Sequence, residues 1–538
     1  MTARLRLGVA VLLVFLAAQS LLTIPRKSPT SDEFSHHVAS GCSYWVARDF
    51  RMNPVTPPLS RILVSFPFLF LKVKCPLDHL SWREGDSPEF ARQFFYHNTL
   101  TMDELIFWAR LPVVALSVLF GLVIFWVSRY FFGDLAALAS LSLYSFCPTV
   151  IAFSSLATSD LPVAFFYFLG VILFGFYLRT PSWKNLCLVS VATGLALLSK
   201  FTALLLFPTL FLIALFLKKK KEIAFGRVLT FTGLVLLTVW TGYFFEVKPL
   251  LKNTPDPPKK AAFLRKVGGD PLVRFGQETP VPLATFVSSL GSFCFTRSAG
   301  TRAYLMGKWS RNGWWYYYFV AFAIKNTVPM VLLSALSLLF LKKFTRDRWI
   351  QTILIVPVIF FFIATLPDRA QAGIRYFLPI YPFFFLSGGG LVAYLYRKRG
   401  WRRWTAGGLL LWHAASALLV FPDYLSYFNE SIGGSKNGYR WLRDSNLDWG
   451  QDLKGLASHA RKEGYSEVAL YFLGPVDPFA YGMPARSLTA DEFQKPKPTV
   501  YAVGAHGMDD VLWARDARPT AVIGHSIFVY DFRKTVSR

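Results

Sequence analysis

Two adjacent carboxylates, Asp32 and Glu33, head the stretch SDEFSHHVASGCSYWVARDFRMNPVTPPL that follows the first apolar segment of the chain. Such a pair at the mouth of a helix bundle can supply a general base that takes a proton from an acceptor hydroxyl, while its neighbour orients a partner. If the segment after Ser31 is helical, His36 lies one turn from Asp32 and His37 one turn from Glu33. The same residues also fit a plain helix start, with Ser or Asp as the cap and an acid in the first turn. Spacing alone does not choose between the two. A divalent metal held through Glu33, His36 or His37 is a third use, and no ligand spacing specifies it.

Four further ionisable residues fall at or near the ends of apolar runs. Asp160 opens one in SSLATSDLPVAFF, Lys200 sits at the turn of a tight apolar hairpin, Lys325 stands inside a run and Arg375 just before one. Charges at membrane depth are costly and so mark function by default. Their ordinary uses are snorkelling to the headgroups for Lys200 and Arg375, and capping for Asp160. Three cations on one membrane face would suit a phosphate, which Arg can grip with two parallel hydrogen bonds. The aromatic run Trp314–Phe319 reads as an interfacial belt. Asn446–Asp452, NLDWGQD, reads as a capped turn that docks a soluble domain onto the bundle.

The elements that must carry these residues are apolar helices. The 538-residue chain is 53% hydrophobic and only 17% charged, with 52 Phe and 16 Trp, and its mean hydropathy is +0.38. That composition predicts a polytopic membrane protein. The net charge of +26 comes largely from short basic runs between apolar segments, as at Lys218–Lys221, Lys342-Lys343 and Arg397–Arg399. This is the positive-inside pattern, and it argues against a nucleic-acid surface. Reading spans from hydropathy gives about eleven transmembrane helices, near 7–24, 105–127, 134–153, 160–178, 186–200, 201–217, 228–246, 314–341, 349–366, 377–396 and 404–421. The N-terminus is then cytoplasmic, and 25–102 and 247–312 are outer loops. Within the first of these, Leu59–Val73 is expected to lie along the membrane surface. After Phe421 the pattern becomes that of a small α/β domain, 422–538. Strands are expected at Val468–Leu473, Thr499–Val503 and Ala521–Tyr530, with helices near Leu453–Glu463 and Asp509–Arg515. No G-x-G-x-x-G phosphate fingerprint occurs. For Cys42 and Cys75, in the outer loop, both a bridge and free thiols remain open.

The residues DEFSHHVASG…ARDFRMNPVTPPL, SSLATSDLPVAFF, GLALLSKFTALLLFP, GWWYYYFVAFAIKNTVP, IRYFLPIYPF and YFNESIGGSKNGYRWLRDSNLDWGQDL follow one another from about residue 31 to 455. In that order they resemble the GT-C membrane glycosyltransferases, and most closely the branch of protein O-mannosyltransferases and aminoarabinose transferases that depend on a phospholipid carrier. The resemblance implies an all-α membrane bundle with an extracytoplasmic domain in a bacterial cytoplasmic membrane. It implies a sugar donor on a polyprenyl phosphate and an acceptor outside the cytosol. Asp32 would be the base, Glu33 its support and Asp160 a second acid. Lys200 and Arg375, with Lys325 and His36, would bind the carrier phosphate or the sugar. Where the aminoarabinose branch has Glu-Lys before Pro-Pro, this chain has Val55-Thr56, so lipid A is not implied as the acceptor. A flippase for polyprenyl-linked glycans and a non-catalytic assembly subunit of the same fold are the alternatives. A flippase should show inverted repeats, and the sequence shows none.

Overall fold

The computed structural model describes residues 1–218, 224–254, 257–398 and 400–533. Of the basic runs read from sequence, Lys219–Lys221 and Arg399 lie outside these. The chain is an integral membrane protein with the expected architecture, a helical bundle followed by a small α/β part. Among the described residues, six helices are long and apolar enough to cross a bilayer. They are Ala3–Arg26, Met102–Phe132, Asp160–Arg179, Phe225–Gly242, Arg348–Thr365 and Ile374–Arg397, and the pair Asp134–Ser145 and Pro148–Ser154, bent by 64°, makes a seventh if counted as one span.

Among the described residues, not all of the eleven expected spans are single helices of spanning length. Trp183–Ser199 has 17 residues, or roughly 26 Å at 1.5 Å per residue, short of a hydrocarbon core of about 30 Å. The segment expected to span 201–217 opens with a 3₁₀ turn, Phe201–Leu205, before the helix Leu206–Phe216. The expected 314–341 span is broken into Tyr317–Lys325 and Val328–Leu339. Thr327 caps the second piece by accepting the Met330 N–H at 3.2 Å, and Pro329 stands in its first turn. Trp401–Leu419 is a helix, but one diluted by Arg402, Arg403 and His413.

Leu59–Val73 becomes a short helix, Leu59–Ser65, and a 3₁₀ turn, Phe66–Phe70, with Phe66, Leu69 and Phe70 exposed. The short helix crosses Val38–Ala47 so closely that a Cβ on Gly41 would collide with the Arg61 carbonyl oxygen. Cys42 and Cys75 are free thiols.

The α/β part is a five-stranded sheet in the order 485–487, 468–471, 500–504, 527–531, 521–523. Its first three strands are parallel, and the 500–504, 527–531 and 521–523 pairings are antiparallel. The helix Leu453–Lys462 buries Leu453, Leu456, Ala457 and Ala460, a single stripe at helical spacing. Two expectations change. The strand 521–530 is a hairpin, turned at Gly524 and His525, both at positive φ, and 509–515 forms 3₁₀ turns rather than a helix. Between bundle and sheet, residues 424–446 run as short 3₁₀ turns against the face where the acid pair lies.

Candidate active site

The acid pair is held from both sides. Ahead of it, Ser28 N–H donates to the Gln451 carbonyl and Ser31 N–H to the Trp449 carbonyl, both at 2.9 Å. Lys27 pairs with Asp452 at 2.5 Å and with Asp423. Behind it, Glu33–His37 is a π-helical turn leading into the helix Val38–Ala47. Such a turn inserts one extra residue into the helical register and is frequent at functional sites. Asp32 and Glu33 thus leave the backbone in different directions.

Glu33 points into protein. It is 0% exposed, as is Arg110, whose Nε and Nη2 each donate at 2.7 Å to the two carboxylate oxygens. Ala157 N–H donates to Oε1 at 2.7 Å, and Thr30 donates its N–H and hydroxyl to Oε2 at 2.9 Å. Burial works against the charge, but Arg110 and these donors hold Glu33 below the ordinary carboxylate range. With both oxygens filled, Glu33 is a positioning residue. It ties the segment that follows the first helix to the Ala157 turn, which leads directly to Asp160.

Asp32 faces the opening, with its side chain 27% exposed. Its Oδ2 accepts from Arg375 Nη1 at 2.7 Å. Burial pushes its pKa up, while Arg375 foremost, then His36 and Lys200, hold it below the usual value. The same Arg375 Nη1 lies 3.9 Å from Asp160 Oδ2, a buried oxygen with no hydrogen bond among the described residues. Asp160 Oδ1 accepts from Lys200 Nζ at 2.7 Å. Four of the residues singled out in sequence thus form one chain of contacts, Asp32–Arg375–Asp160–Lys200. Tyr376 lies beneath the two cations, 4.1 Å from Lys200 Nζ and 5.6 Å from the Arg375 guanidinium carbon.

Lys325 is not part of this group, which corrects the expectation that it faces a phosphate. Its three N–H bonds are donated to the carbonyls of Leu425, Tyr427 and Asn446 at 2.8, 2.7 and 2.6 Å. It straps the 424–446 segment to the bundle. The His36 side chain is exposed and stands next to Asp32. Burial and the neighbouring Arg61 and Arg375 keep its pKa below the ordinary histidine value, against the pull of Asp32. The buried His37 is held well below, by desolvation and then by Arg61 and His36.

Sequence reasoning passed over Arg110 and Arg61, and read Trp449 only as part of a docking turn. Arg110 carries its own signal, a lone cation within an apolar run. Arg61 donates Nε to the His36 carbonyl at 2.8 Å and Nη1 to the Thr56 and Pro57 carbonyls at 3.0 Å, and Nη2 bonds the Thr56 hydroxyl. Trp449 covers Arg375 at 4.3 Å.

One step along the chain from Lys200 a groove of about 550 Å³ begins, lined by Phe201, Thr202, Leu205, Phe293 and Pro367, with Arg297 and Asp368 at its polar edge. Arg297 pairs with Asp368 and lies 5.6 Å from the Tyr376 ring. Groove and charged cluster therefore meet at one tyrosine. For a metal the donor set fits poorly. Among the described residues no three His, Cys, Asp or Glu converge, and Asp32 and Asp160 already face guanidinium or ammonium groups.

Residues 96–242 match the family model described as dolichyl-phosphate-mannose-protein mannosyltransferase. No curated protein sequence matches the chain. Among solved structures, ArnT from Cupriavidus metallidurans bound to undecaprenyl phosphate is similar at 11% identity and a TM-score of 0.49, covering 98% of each chain. The Archaeoglobus fulgidus oligosaccharyltransferase tethered with an acceptor peptide is similar at 12% identity and a TM-score of 0.44, covering 94% of this chain and 71% of that one. The same oligosaccharyltransferase in complex with Zn and sulfate gives 15% identity and a TM-score of 0.40, over 84% and 55%.

Proposed function

We propose that this protein is an inverting glycosyltransferase that moves one sugar, a hexose or pentose, from a polyprenyl phosphate to a hydroxyl of an extracytoplasmic protein, lipid or glycan. The site and the α/β domain would face outward from a bacterial cytoplasmic membrane. One observation carries the reading. Every nitrogen of the buried cations Arg110, Arg61 and Lys325 is bonded within the protein. Lys200, by contrast, has one hydrogen-bond partner for its three N–H bonds, and Arg375 Nη2 has none among the described residues. These spare donors stand beside a carboxylate with one oxygen uncommitted and an apolar groove suited to a prenyl chain. An anion with a long apolar tail is the ligand this combination fits.

The chemistry follows from the charges. Two acids and two cations balance, so a docked phosphate leaves the cluster with excess negative charge. Arg375 is then shared between Asp32 and phosphate, and the proton affinity of Asp32 rises just as an acceptor hydroxyl needs a base. The hydroxyl oxygen attacks the anomeric carbon and its proton passes to Asp32. The bond from that carbon to the phosphate oxygen breaks, and the electron pair leaves on a phosphate held by Lys200 and Arg375. A single displacement inverts the anomeric centre.

Incubating the purified protein with a panel of polyprenyl-phosphate sugars and measuring released carrier phosphate by mass spectrometry tests the proposal. We expect release with at least one donor, and a fall of about 10²–10⁴-fold in Asp32→Asn, the range for removing a general base. A transporter or an inactive scaffold would be indifferent to that substitution. Unchanged transfer in Asp32→Asn, at normal expression, overturns the reading.

A further inference from the structure

The loop Asn446–Asp452 does more than dock the C-terminal part, and one of its residues touches both halves of the charged cluster. Trp449 is buried, 5% exposed. Its carbonyl accepts the N–H of Ser31, the residue before Asp32, at 2.9 Å. Its indole lies 4.3 Å from the guanidinium carbon of Arg375. The loop is itself fixed against the strand of chain that carries Arg375. Ser445 Oγ donates to the Ala372 carbonyl at 2.6 Å, and Asn446 Oδ1 accepts from Ile374 N–H at 2.9 Å. Gly373, at φ +99°, makes that approach feasible, since a Cβ there would stand 2.5 Å from Ser445 Oγ. The Trp449 N–H is donated to Gln451 Oε1 at 2.8 Å, which locks the residue inside its own turn.

We propose that Trp449 is a positioning residue for Arg375, and that it sets the spacing between the phosphate-binding guanidinium and the carboxylate of Asp32. An aromatic face against a guanidinium attracts the cation and excludes water from one side. Arg375 Nε is already committed to the Ala372 carbonyl at 3.0 Å and Nη1 to Asp32. With the plane fixed by the indole, Nη2 is the edge left for a phosphate oxygen, and the fork cannot swing away from the acid. The backbone bond to Ser31 makes the same residue a gauge for Asp32. This proposal rests on the transferase reading above.

The test compares Trp449→Leu, Trp449→Tyr and Arg375→Ala, singly and with Trp449→Leu combined with Arg375→Ala, in the full-length protein. Two readouts are taken: stabilisation by undecaprenyl phosphate in a thermal-shift assay, and kcat and KM for the donor. Loss of a desolvated cation–π contact should lower donor kcat/KM in Trp449→Leu by about tenfold. Trp449→Tyr, which keeps a ring face, should stay within about threefold of the natural protein. Because Trp449 acts through Arg375, the leucine variant should cost little more once Arg375 is gone. Fully additive losses, or a Trp449→Leu protein with wild-type KM and thermal shift, overturn the proposal. If Trp449→Leu does not fold, a Trp449→Tyr protein that folds but loses tenfold or more also overturns it. A wild-type protein that binds undecaprenyl phosphate but transfers nothing refutes the transferase reading, and the thermal shift still decides the role of Trp449. One that neither binds nor transfers refutes both.

Discussion

Replacing Glu33 with Gln separates structural support from chemistry in the acid pair. Glu33 accepts five hydrogen bonds, two from Arg110, two from Thr30 and one from Ala157. A glutamine amide keeps one acceptor oxygen and turns the other into a donor that faces the donors of Arg110 and Thr30, and it leaves the Arg110 guanidinium uncompensated at 0% exposure. Breaking one side of a fully buried ion pair costs about 3–5 kcal/mol. The expected result is a drop of that size in the unfolding free energy of detergent-purified Glu33→Gln, read by guanidinium titration. The double variant Glu33→Leu with Arg110→Met should recover much of it, since two apolar groups leave no orphaned charge. The pH dependence has a definite sign. A carboxyl held below its ordinary value of 4.5 stabilises the fold above that pH, and the contribution fades as acid lowers the pH through the folded-state value. Glu33→Gln should therefore lack this part of the acid sensitivity below about pH 4.5. A stability loss under about 1 kcal/mol together with a hundredfold loss of transfer would refute the reasoning, because it would make Glu33 a chemical participant rather than a fixed support.

Lys325→Met should destabilise the protein by about 3 kcal/mol, since three buried carbonyls lose a charged donor, while donor KM of the folded fraction stays within about twofold; a tenfold rise in KM at unchanged stability refutes the strap. Asp448 is buried and is pushed by burial from 3.8 up to about 7, against the pull of the Gly450 N–H on its carboxylate. Its sign is opposite to that of Glu33: the folded protein keeps a proton that the unfolded chain gives up, so stability falls as pH rises from 3.8 to about 7. Asp448→Asn should then be the more stable form at pH 8, by a few kcal/mol, in the same titration. Thr202→Trp fills the groove beside Lys200 and should raise KM about tenfold for an undecaprenyl donor while leaving a donor with a two-isoprene tail nearly unaffected; equal effects on both tails would place the prenyl chain elsewhere.

The membrane made part of this site readable. Apolar solvent penalises every charge, so Asp160, Lys200 and Arg375 stand out from their surroundings in a way that surface residues of a soluble protein do not. Their convergence is a tertiary fact that the sequence only suggested, through the expectation that all of them lie at one end of their spans. The division of labour between Asp32 and Glu33 was not legible. Adjacent residues on a helix point about 100° apart, and which of them turns inward depends on Arg110, 77 residues away. Lys325 misled for a similar reason, because the carbonyls that fill its donors lie 100 to 121 residues downstream. The break after it carried a local signal, Asn326-Thr327-Val328-Pro329, hidden by the apolar run on both sides. The π-helical turn at Glu33–His37 has no sequence periodicity to announce it.

The bonds from Ser28 and Ser31 to Gln451 and Trp449 join two segments that lie more than 400 residues apart in the chain. While the ribosome is still making the intervening helices, Ser31, next to Asp32, has no Trp449 carbonyl to anchor it, and Arg375 has no indole over it. The contacts among Asp32, Arg375, Asp160 and Lys200 therefore reach their final geometry only once the segment around Trp449 has been made and packed against Ser28 and Ser31.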